Sequence, residues 1–224
     1  MPLNTWVYLK KMINMSKTPS ISYAVICCNE YYETITLLDF LIEHKRKKDE
    51  IVVLLDDKGD KDLWNHLLEI EGNISLLHRA RFKDDFSEWR NELKKLCSKE
   101  YIFMIDADEI PNENLIKKLP YILESNPEFD MFYVPRVNTV IGITEYDIKL
   151  WNWNINEKGW IQWPDVQGRI IKNQPHLNYI NKVHEKLDGA KLFSVLPLEE
   201  EYSLYHPKTI ERQRLQNSYY EKIQ

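Results

Sequence analysis

The sequence predicts one α/β domain built on a mostly parallel β-sheet with helices on its faces. Short apolar runs alternate with amphipathic helical stretches through the first half, which is typical of parallel strands joined by crossover helices. The chain has 224 residues, enough for one sizeable core but too few for two ordinary domains and a linker. No internal repeat or low-complexity segment interrupts this pattern.

Hydrophobic periodicity places the individual elements. Pro120 is expected to kink or break the helix that contains it, because its ring clashes with the preceding turn. The predicted strands are residues 22–28, 51–55, 74–78, 101–105 and 169–172, and the predicted helices are residues 33–47, a helix starting near 61, an apolar stripe from 86 to 97, residues 113–124 and residues 209–222.

Composition and charge argue against a nucleic-acid or membrane partner. Thirty basic against thirty-five acidic residues give a net charge of −5, which offers no general attraction for a nucleic-acid polymer or an anionic membrane. No stretch approaches the ~20 apolar residues of a transmembrane helix. Residues 1–20 are too polar for a secretory signal, and we expect them to form a docking helix in preference to a membrane-surface anchor. Cys27, Cys28 and Cys97 lack metal-ligand spacing, which predicts reduced, buried thiols in a cytoplasmic protein.

Four tryptophans crowd a loop-rich segment in the second half of the chain. They are Trp151, Trp153, Trp160 and Trp163, just before the strand at 169–172. Two interpretations remain open: the indoles fill a small subdomain core, or some of them stack on the flat ring of a sugar or base.

Polar residues follow three of the predicted strands. In an open parallel sheet, ligands bind beyond the carboxyl ends of the strands, where the connecting loops converge. Acidic groups gathered at one edge repel each other unless a cation or a ligand rich in hydrogen-bond donors lies among them. Asn29 and Glu30 follow the first strand, Asp56 and Asp57 the second, and the cluster of residues 106–109 the fourth.

Asp106 and Asp108 lie two positions apart directly after an apolar strand. Both side chains can therefore point the same way, so that one holds a hard divalent cation while the other binds a neighbouring hydroxyl. Oxygen ligands of this kind suit Mg²⁺ or Mn²⁺, which bridge to substrate phosphates. The alternative is a solvated turn that caps the next helix.

Taken in order, these segments resemble the GT-A glycosyltransferases, and within them the family 2 enzymes, from Ser22 to the C-terminus. One departure concerns residues 57–60, Asp-Lys-Gly-Asp, which replace the usual small-residue turn and leave the base and ribose contacts there open. The segments that carry the resemblance are residues 28–30, 49–57, 89–91, 101–109, 164–165, 169–171, 183–185 and 206–207.

The resemblance implies a GT-A, Rossmann-like sheet and a nucleotide-sugar site, with a UDP-sugar as the expected donor. Arg90 would neutralise phosphate or order the acidic edge, although it and Asn91 could also be plain helix-surface residues. The domain would comprise an extension (1–20), a nucleotide-sugar half (about 21–125) and an acceptor half (about 126–224). The other donor contacts implied are Asn29, Glu30 and Asp56 to the base and ribose, and Asp106 to the ribose or sugar.

The resemblance also implies a metal and a base. Asp108 would bind the ion and His206 would complete its site, and imidazole beside carboxylate favours Mn²⁺ over Mg²⁺. The transfer would invert the anomeric centre, with Glu185 as first candidate for the base and Asp165 as second. Each has an alternative: His206 packs against the last helix, Glu185 forms a salt bridge with Lys182 or Lys186, and Asp165 caps a turn.

Other classes of protein remain possible. A haloacid-dehalogenase-type phosphatase also places two aspartates after an apolar strand, but that strand normally comes early in its chain. A nucleotidyltransferase shares the sheet and the metal carboxylates, yet it normally carries a glycine-rich phosphate loop that is absent after residue 28. A non-catalytic nucleotide-sugar-binding module is the third alternative. A glycan or another hydroxyl-bearing molecule would be the acceptor.

Overall fold

The structure, a computed structural model, describes residues 18–223 and the side chains of residues 18–218. The helix predicted for residues 1–20 therefore lies almost wholly outside the described residues. None of the described helices is both long enough and apolar enough to span a membrane.

Strands and helices alternate along the first half of the chain, and strands dominate the second half. The helices are α1 (Tyr31–His44), α2 (Lys61–Glu69), α3 (Phe86–Leu96), α4 (Glu113–Ser125), α5 (Glu145–Leu150) and α6 (Ile210–Ile223). The strands are β1 (Ile21–Cys27), β2 (Glu50–Asp56), β3 (Leu76–Ala80), β4 (Tyr101–Asp106), β5 (Ile110–Pro111), β6 (Met131–Ile141), β7 (Ile161–Lys172), β8 (Asn178–Ile180), β9 (Lys186–Asp188), β10 (Phe193–Val195) and β11 (Leu204–Thr209).

One large sheet forms the centre of the fold, in the order β3-β2-β1-β4-β7-β6-β11-β5, with β10 also paired to β6. Strands β3, β2, β1 and β4 are parallel, whereas β7 is antiparallel to both β4 and β6. All seven residues of β2 are buried, as expected for a parallel strand covered on both faces. The predicted α/β class with a mostly parallel sheet is confirmed.

Several predicted boundaries need correction. Strand β3 begins at Leu76, two residues later than predicted, although Ile74 is buried in front of it. The predicted break in α4 is wrong, because the helix continues through Pro120 to Ser125. Six buried residues of α4, Pro120 among them, pack its apolar face on the sheet, and this packing outweighs the hydrogen bond that proline cannot donate.

Strand β7 begins at Ile161, eight residues before the predicted strand. Arg136 pairs with Asp165 and Asn138 with Ile161, so the β7 stretch between these pairs is longer than its β6 partner and bulges outward. The bulge contains Gln162, with φ of 55°, and the cis bond that precedes Pro164. Bulges of this kind redirect side chains beside functional sites.

The four tryptophans form two pairs, and neither pair is a buried core. The ring centroids of Trp151 and Trp153 lie 4.7 Å apart, and those of Trp160 and Trp163 lie 4.8 Å apart. All four side chains are partly exposed. The cysteine prediction also needs one correction: the three thiols are free and two are buried, but Cys28 is partly exposed at the end of β1.

Candidate functional site

The carboxyl ends of β1, β2 and β4 form one edge, which we call the donor edge. Asp56 ends β2 and is buried. Its Oδ1 accepts the backbone N–H groups of Lys58 and Phe82, both at 3.2 Å. Its Oδ2 lies 3.7 Å from the thiol of Cys28, and burial together with the Asp56 charge raises the pKa of that thiol to about 12. Asp56 therefore ties together the segments that follow β1, β2 and β3.

The unusual turn after β2 is pressed against the end of β1. A Cβ atom on Gly59 would lie 2.4 Å from the carbonyl oxygen of Cys28, so no other residue fits there without moving the backbone. The Asp60 N–H donates to the same carbonyl at 3.1 Å. The turn at residues 57–60, which departs from the family pattern, is thus packed against the end of β1 and forms part of the donor edge.

Asn29 and Glu30 lie in the loop between β1 and α1. Glu30 Oε2 accepts the backbone N–H groups of Cys28 at 2.9 Å and Asn29 at 3.1 Å. The side chain of Asn29 is exposed. The loop is therefore organised by Glu30, while Asn29 remains accessible to a ligand.

Two arginines surround Asp106 at the end of β4. Arg90, from α3, donates to Oδ1 at 3.1 Å, and Arg169, from β7, donates to Oδ2. Burial alone would raise the pKa of Asp106, but the charges of Arg169 and Arg90 hold that pKa well below its usual range. Arg90 is buried, so the alternative of a plain helix-surface residue is wrong for it.

Glu109 is the most deeply buried acid of the site, with no exposed surface. Its Oε1 accepts hydrogen bonds from Arg169 at 2.6 Å and from Arg136 at 3.1 Å. Because Arg169 contacts both Asp106 and Glu109, it holds the two ends of the acidic cluster together. Buried charges need such partners, since an unpaired one costs several kcal/mol.

Asp108 meets three basic side chains on one oxygen, Oδ2. His206 Nε2 lies 3.3 Å away, Arg212 3.4 Å and Lys208 3.8 Å. Burial raises the pKa of Asp108, but the hydrogen bond and charge of His206, with the charge of Lys208, lower it to about 2. Arg212 also pairs with Glu30 at 3.6 Å, so it connects α6 to the donor edge.

His206 is oriented by a hydrogen-bond chain on β6 and β7. Asn138 Nδ2 donates to the Asp165 carboxylate at 2.8 Å, so its Oδ1 is the atom that faces His206 Nδ1, at 2.7 Å. His206 Nδ1 therefore donates. When His206 is protonated, Nε2 also carries a proton and donates it to Asp108, whereas in the neutral imidazole the lone pair of Nε2 points at Asp108 and is available to a cation. The alternative that His206 only packs against the last helix is wrong.

The two candidate bases lie in the same network. Arg90 Nε donates to Glu185 Oε1 at 2.5 Å, so the expected alternative partners Lys182 and Lys186 are replaced by Arg90. Asp165 accepts from Arg136 at 2.9 Å and from Gln167 at 2.7 Å, within β7 and not in a turn. Burial raises the pKa of Asp165, but Arg136 and its hydrogen bonds lower it overall.

Ion pairs and hydrogen bonds thus join Glu185, Arg90, Asp106, Arg169 and Glu109 in one continuous network. The network continues from Glu109 to Asp108 through the hydrogen-bond chain on β6 and β7 that orients His206. Asn91 lies outside this network, because its amide instead fixes the backbone of Tyr179 in β8. Six members of the network had no predicted role, and for Arg169 the available signal was a charged residue at the start of the strand predicted at 169–172. These six are Glu109, Arg136, Asn138, Arg169, Lys208 and Arg212.

The residues present fit a divalent cation that is completed by substrate. Asp108 and His206 supply a carboxylate oxygen and an imidazole nitrogen 3.3 Å apart. Asn138 orients the ring in the way that second-layer groups orient metal-bound histidines. Within residues 18–218, no group of three or more His, Cys, Asp or Glu side chains could hold a metal. Mg²⁺ and Mn²⁺ commonly take the remaining ligands from phosphates and water.

Residues 22–179 match glycosyl transferase family 2. The chain therefore belongs to this family, as the motifs in the sequence predicted. No curated protein sequence matches it.

Solved structures of S. aureus TarS share the fold. The complex of TarS residues 1–349 with UDP-GlcNAc superposes with a TM-score of 0.59 at 15% identity, over 84% of this chain and 58% of that one. The UDP complex gives 0.57 at 15% identity, over 84% and 60%. A longer TarS chain gives 0.58 at 14% identity, over 84% and 36%. The GT-A fold is thereby confirmed, and this chain spans between 36% and 60% of the TarS chains it matches.

Proposed function

We propose that the chain is a metal-dependent, inverting glycosyltransferase that moves a sugar from a UDP-sugar to an acceptor hydroxyl. The observation that carries this proposal is the Asp108–His206 pair, which lies beside the donor edge of a family 2 fold with Lys208 and Arg212 on the same carboxylate. Under this proposal residues 21–125 form the nucleotide-sugar half and residues 126–224 the acceptor half of one domain, and the second half also supplies His206, Lys208 and Arg212 to the donor diphosphate and its metal.

The donor edge suits a nucleotide. Asn29 is exposed and can donate and accept hydrogen bonds with a base or ribose, while Glu30 and Asp56 hold the surrounding loops. Asp106 is partly exposed and ionised, and is positioned to accept a hydrogen bond from a ribose or sugar hydroxyl. TarS has been solved with UDP and UDP-GlcNAc, so uridine donors are the first to test.

The diphosphate of the donor would lie against a cationic face. Lys208 and Arg212 both approach Asp108, and Arg212 is exposed over 30% of its side chain. A diphosphate carries more negative charge than one carboxylate and competes for these donors. A divalent cation held by Asp108 and His206 would supply Lewis-acid stabilisation of the charge on the leaving diphosphate.

The proton of the acceptor hydroxyl would be removed by a carboxylate other than Asp108. Among the described residues, hydrogen bonds reach only one oxygen of Glu185, from Arg90, which leaves Oε2 to accept a proton. Asp165 has donors on both oxygens, from Arg136, Asn138 and Gln167. We therefore propose Glu185 as the base and Asp165 as the second candidate. A single displacement assisted by such a base inverts the anomeric centre.

The test is release of UDP from a panel of UDP-sugars, with Mn²⁺ or with chelator. Asp108→Ala is expected to lower the rate by about 10²- to 10³-fold, because charge on the leaving group loses its stabilisation. Glu113→Ala is the matched control, since that carboxylate is exposed on α4 and pairs with Lys117 one turn along the same helix. Undiminished Mn²⁺-dependent release by Asp108→Ala would contradict the metal assignment.

The same assay separates the alternatives. A nucleotidyltransferase would release pyrophosphate from a nucleoside triphosphate and a sugar phosphate. A binding module would be stabilised by a UDP-sugar in thermal unfolding without releasing UDP. Proton NMR of the first-formed product would report the anomeric configuration and so test inversion.

A further inference from the structure

A surface cavity of about 740 Å³ lies outside the network described above. It is formed by the hairpin that leads into β7 and by the 3₁₀ turn at Glu200–Tyr202. The lining residues that matter here are Trp160, Trp163, Lys158, Glu157, Glu199 and Glu200.

Two indoles form the apolar wall of this cavity. Trp160 and Trp163 meet at 63°, edge to face, with centroids 4.8 Å apart. Lys158 Nζ lies 4.4 Å from the centroid of Trp160 and 3.0 Å from the Glu200 carboxylate. The wall is therefore held in place by a cation–π contact and an ion pair, which orders the rings before any ligand binds.

The polar rim of the cavity is acidic. Glu157, Glu199 and Glu200 line the cavity together with one ammonium group, that of Lys158, which pairs with Glu200. Carboxylates accept hydrogen bonds from hydroxyl groups but repel anions. Indole faces bind the CH-rich faces of flat rings. An uncharged ring with many hydroxyl groups meets both requirements, whereas a phosphorylated or carboxylated one does not.

Two connections join this cavity to the candidate site. Trp163 lies two residues before Asp165 on β7. On the other side, the Tyr205 hydroxyl donates to Glu200 at 3.2 Å, and Tyr205 is next to His206 on β11. The chain segments that line the cavity therefore continue directly into the acceptor half of the site.

We propose that this cavity is a subsite for a neutral saccharide unit of the acceptor. The inference rests on the proposed glycosyl transfer and specifies its acceptor class: an uncharged oligosaccharide, with one ring against the two tryptophans and the hydroxyl that reacts on another of its units.

The test is saturation-transfer NMR on the full chain with N,N′,N″-triacetylchitotriose, cellotriose and maltotriose, without any donor, and with trigalacturonate as the anionic comparison. At least one neutral trisaccharide should bind with saturation and transfer through the CH protons of one ring face, and trigalacturonate should not bind. Trp160→Ala should weaken binding about tenfold, which corresponds to about 1.4 kcal/mol. Trp153→Ala is the matched control, because Trp153 pairs with Trp151 and does not line the cavity.

Trp160→Phe guards against misfolding, because it keeps an aromatic ring and should bind within a few-fold of the wild type. Absence of binding by all three neutral trisaccharides would overturn the inference, as would equal binding by Trp160→Ala or preferred binding of trigalacturonate. UDP release measured separately distinguishes the two proposals. Intact release without trisaccharide binding rejects only this subsite, whereas trisaccharide binding without release from any UDP-sugar rejects the proposed transfer.

Discussion

The donor edge and the acceptor half of the site are held in different ways. At the donor edge, acidic side chains accept backbone N–H groups: Asp56 from Lys58 and Phe82, and Glu30 from Cys28 and Asn29. In the acceptor half, charged side chains from different strands hold each other. The linking residues there are Arg136, Asn138, Arg169 and His206.

This difference has a physical consequence. A backbone donor persists whatever the neighbouring side chain is, so each contact of the donor edge stands nearly alone. A side chain that serves two partners, such as Arg169 between Asp106 and Glu109, couples them. Removing it takes one partner from each acid and leaves Asp106 with Arg90 and Glu109 with Arg136, so effects within the acceptor half are expected to be cooperative.

The largest expected effect separates the two candidate bases. Glu185→Gln should lower transfer by about 10³- to 10⁴-fold, or about 4 to 5 kcal/mol in activation free energy, because the amide cannot take the acceptor proton. UDP-sugar affinity should be preserved, since the amide oxygen of the substituted side chain can still accept a hydrogen bond from Arg90. The measurement is kcat for transfer beside donor binding by calorimetry.

Asp165→Asn and Asp188→Asn complete this comparison. Asp188 lies exposed on β9, close in sequence to Glu185, and its variant should transfer sugar as the wild type does. If Asp165→Asn loses transfer while Glu185→Gln retains it, the ranking of the two bases is reversed. If both variants retain transfer, neither carboxylate is the base.

The next effect tests the coupling itself. Arg169→Met should lower the free energy of unfolding by about 3 to 4 kcal/mol, because Glu109 and Asp106 lose a buried partner. Arg81→Met is the control from the donor edge: its ion pair with Asp57 is largely open to solvent on the Arg81 side, and surface pairs contribute about 0 to 1 kcal/mol. Urea unfolding of both variants measures the two losses of unfolding free energy. Equal losses would mean that the acceptor half is no more strongly coupled than the donor edge.

The strands that the sequence predicted are those with an uninterrupted local pattern. Strands β1, β2 and β4 are continuous apolar runs, so periodicity alone located them. Strand β6 was missed because Pro135 interrupts it, and proline normally argues against a central strand. Pro135 lies on β6 next to the bulge of β7, where the regular pairing of the two strands is already interrupted.

The site residues also differ in whether a local sequence pattern predicts them. Asp106 and Asp108 were identifiable because they directly follow an apolar strand. Arg136 and Arg169 were not assigned, since their partners lie 27 and 60 residues away in the chain and no local pattern connects them. The alternative weighed for Glu185, a salt bridge with Lys182 or Lys186, names the wrong partner for the same reason, because Arg90 is 95 residues away.

The smallest effect concerns the pH dependence of stability at Asp108. Its pKa in the folded chain is about 2, below the unfolded value of about 3.9, so the folded state binds the proton less readily. The stabilisation is therefore complete above about pH 4 and is lost as the pH falls through 2. Its full size is about 2 to 3 kcal/mol.

Asp108→Asn removes this titration, so the difference in unfolding free energy between wild type and variant should shrink as the pH falls from 5 towards 2. Urea unfolding at several pH values in that range gives the difference directly. A constant difference would mean that His206 and Lys208 do not stabilise the ionised carboxylate, and the acceptor half would then be less tightly coupled to Asp108 than the contacts indicate. If the difference in unfolding free energy shrinks as the pH falls, Asp108, the residue proposed to hold the metal, is coupled to the basic side chains of the acceptor half.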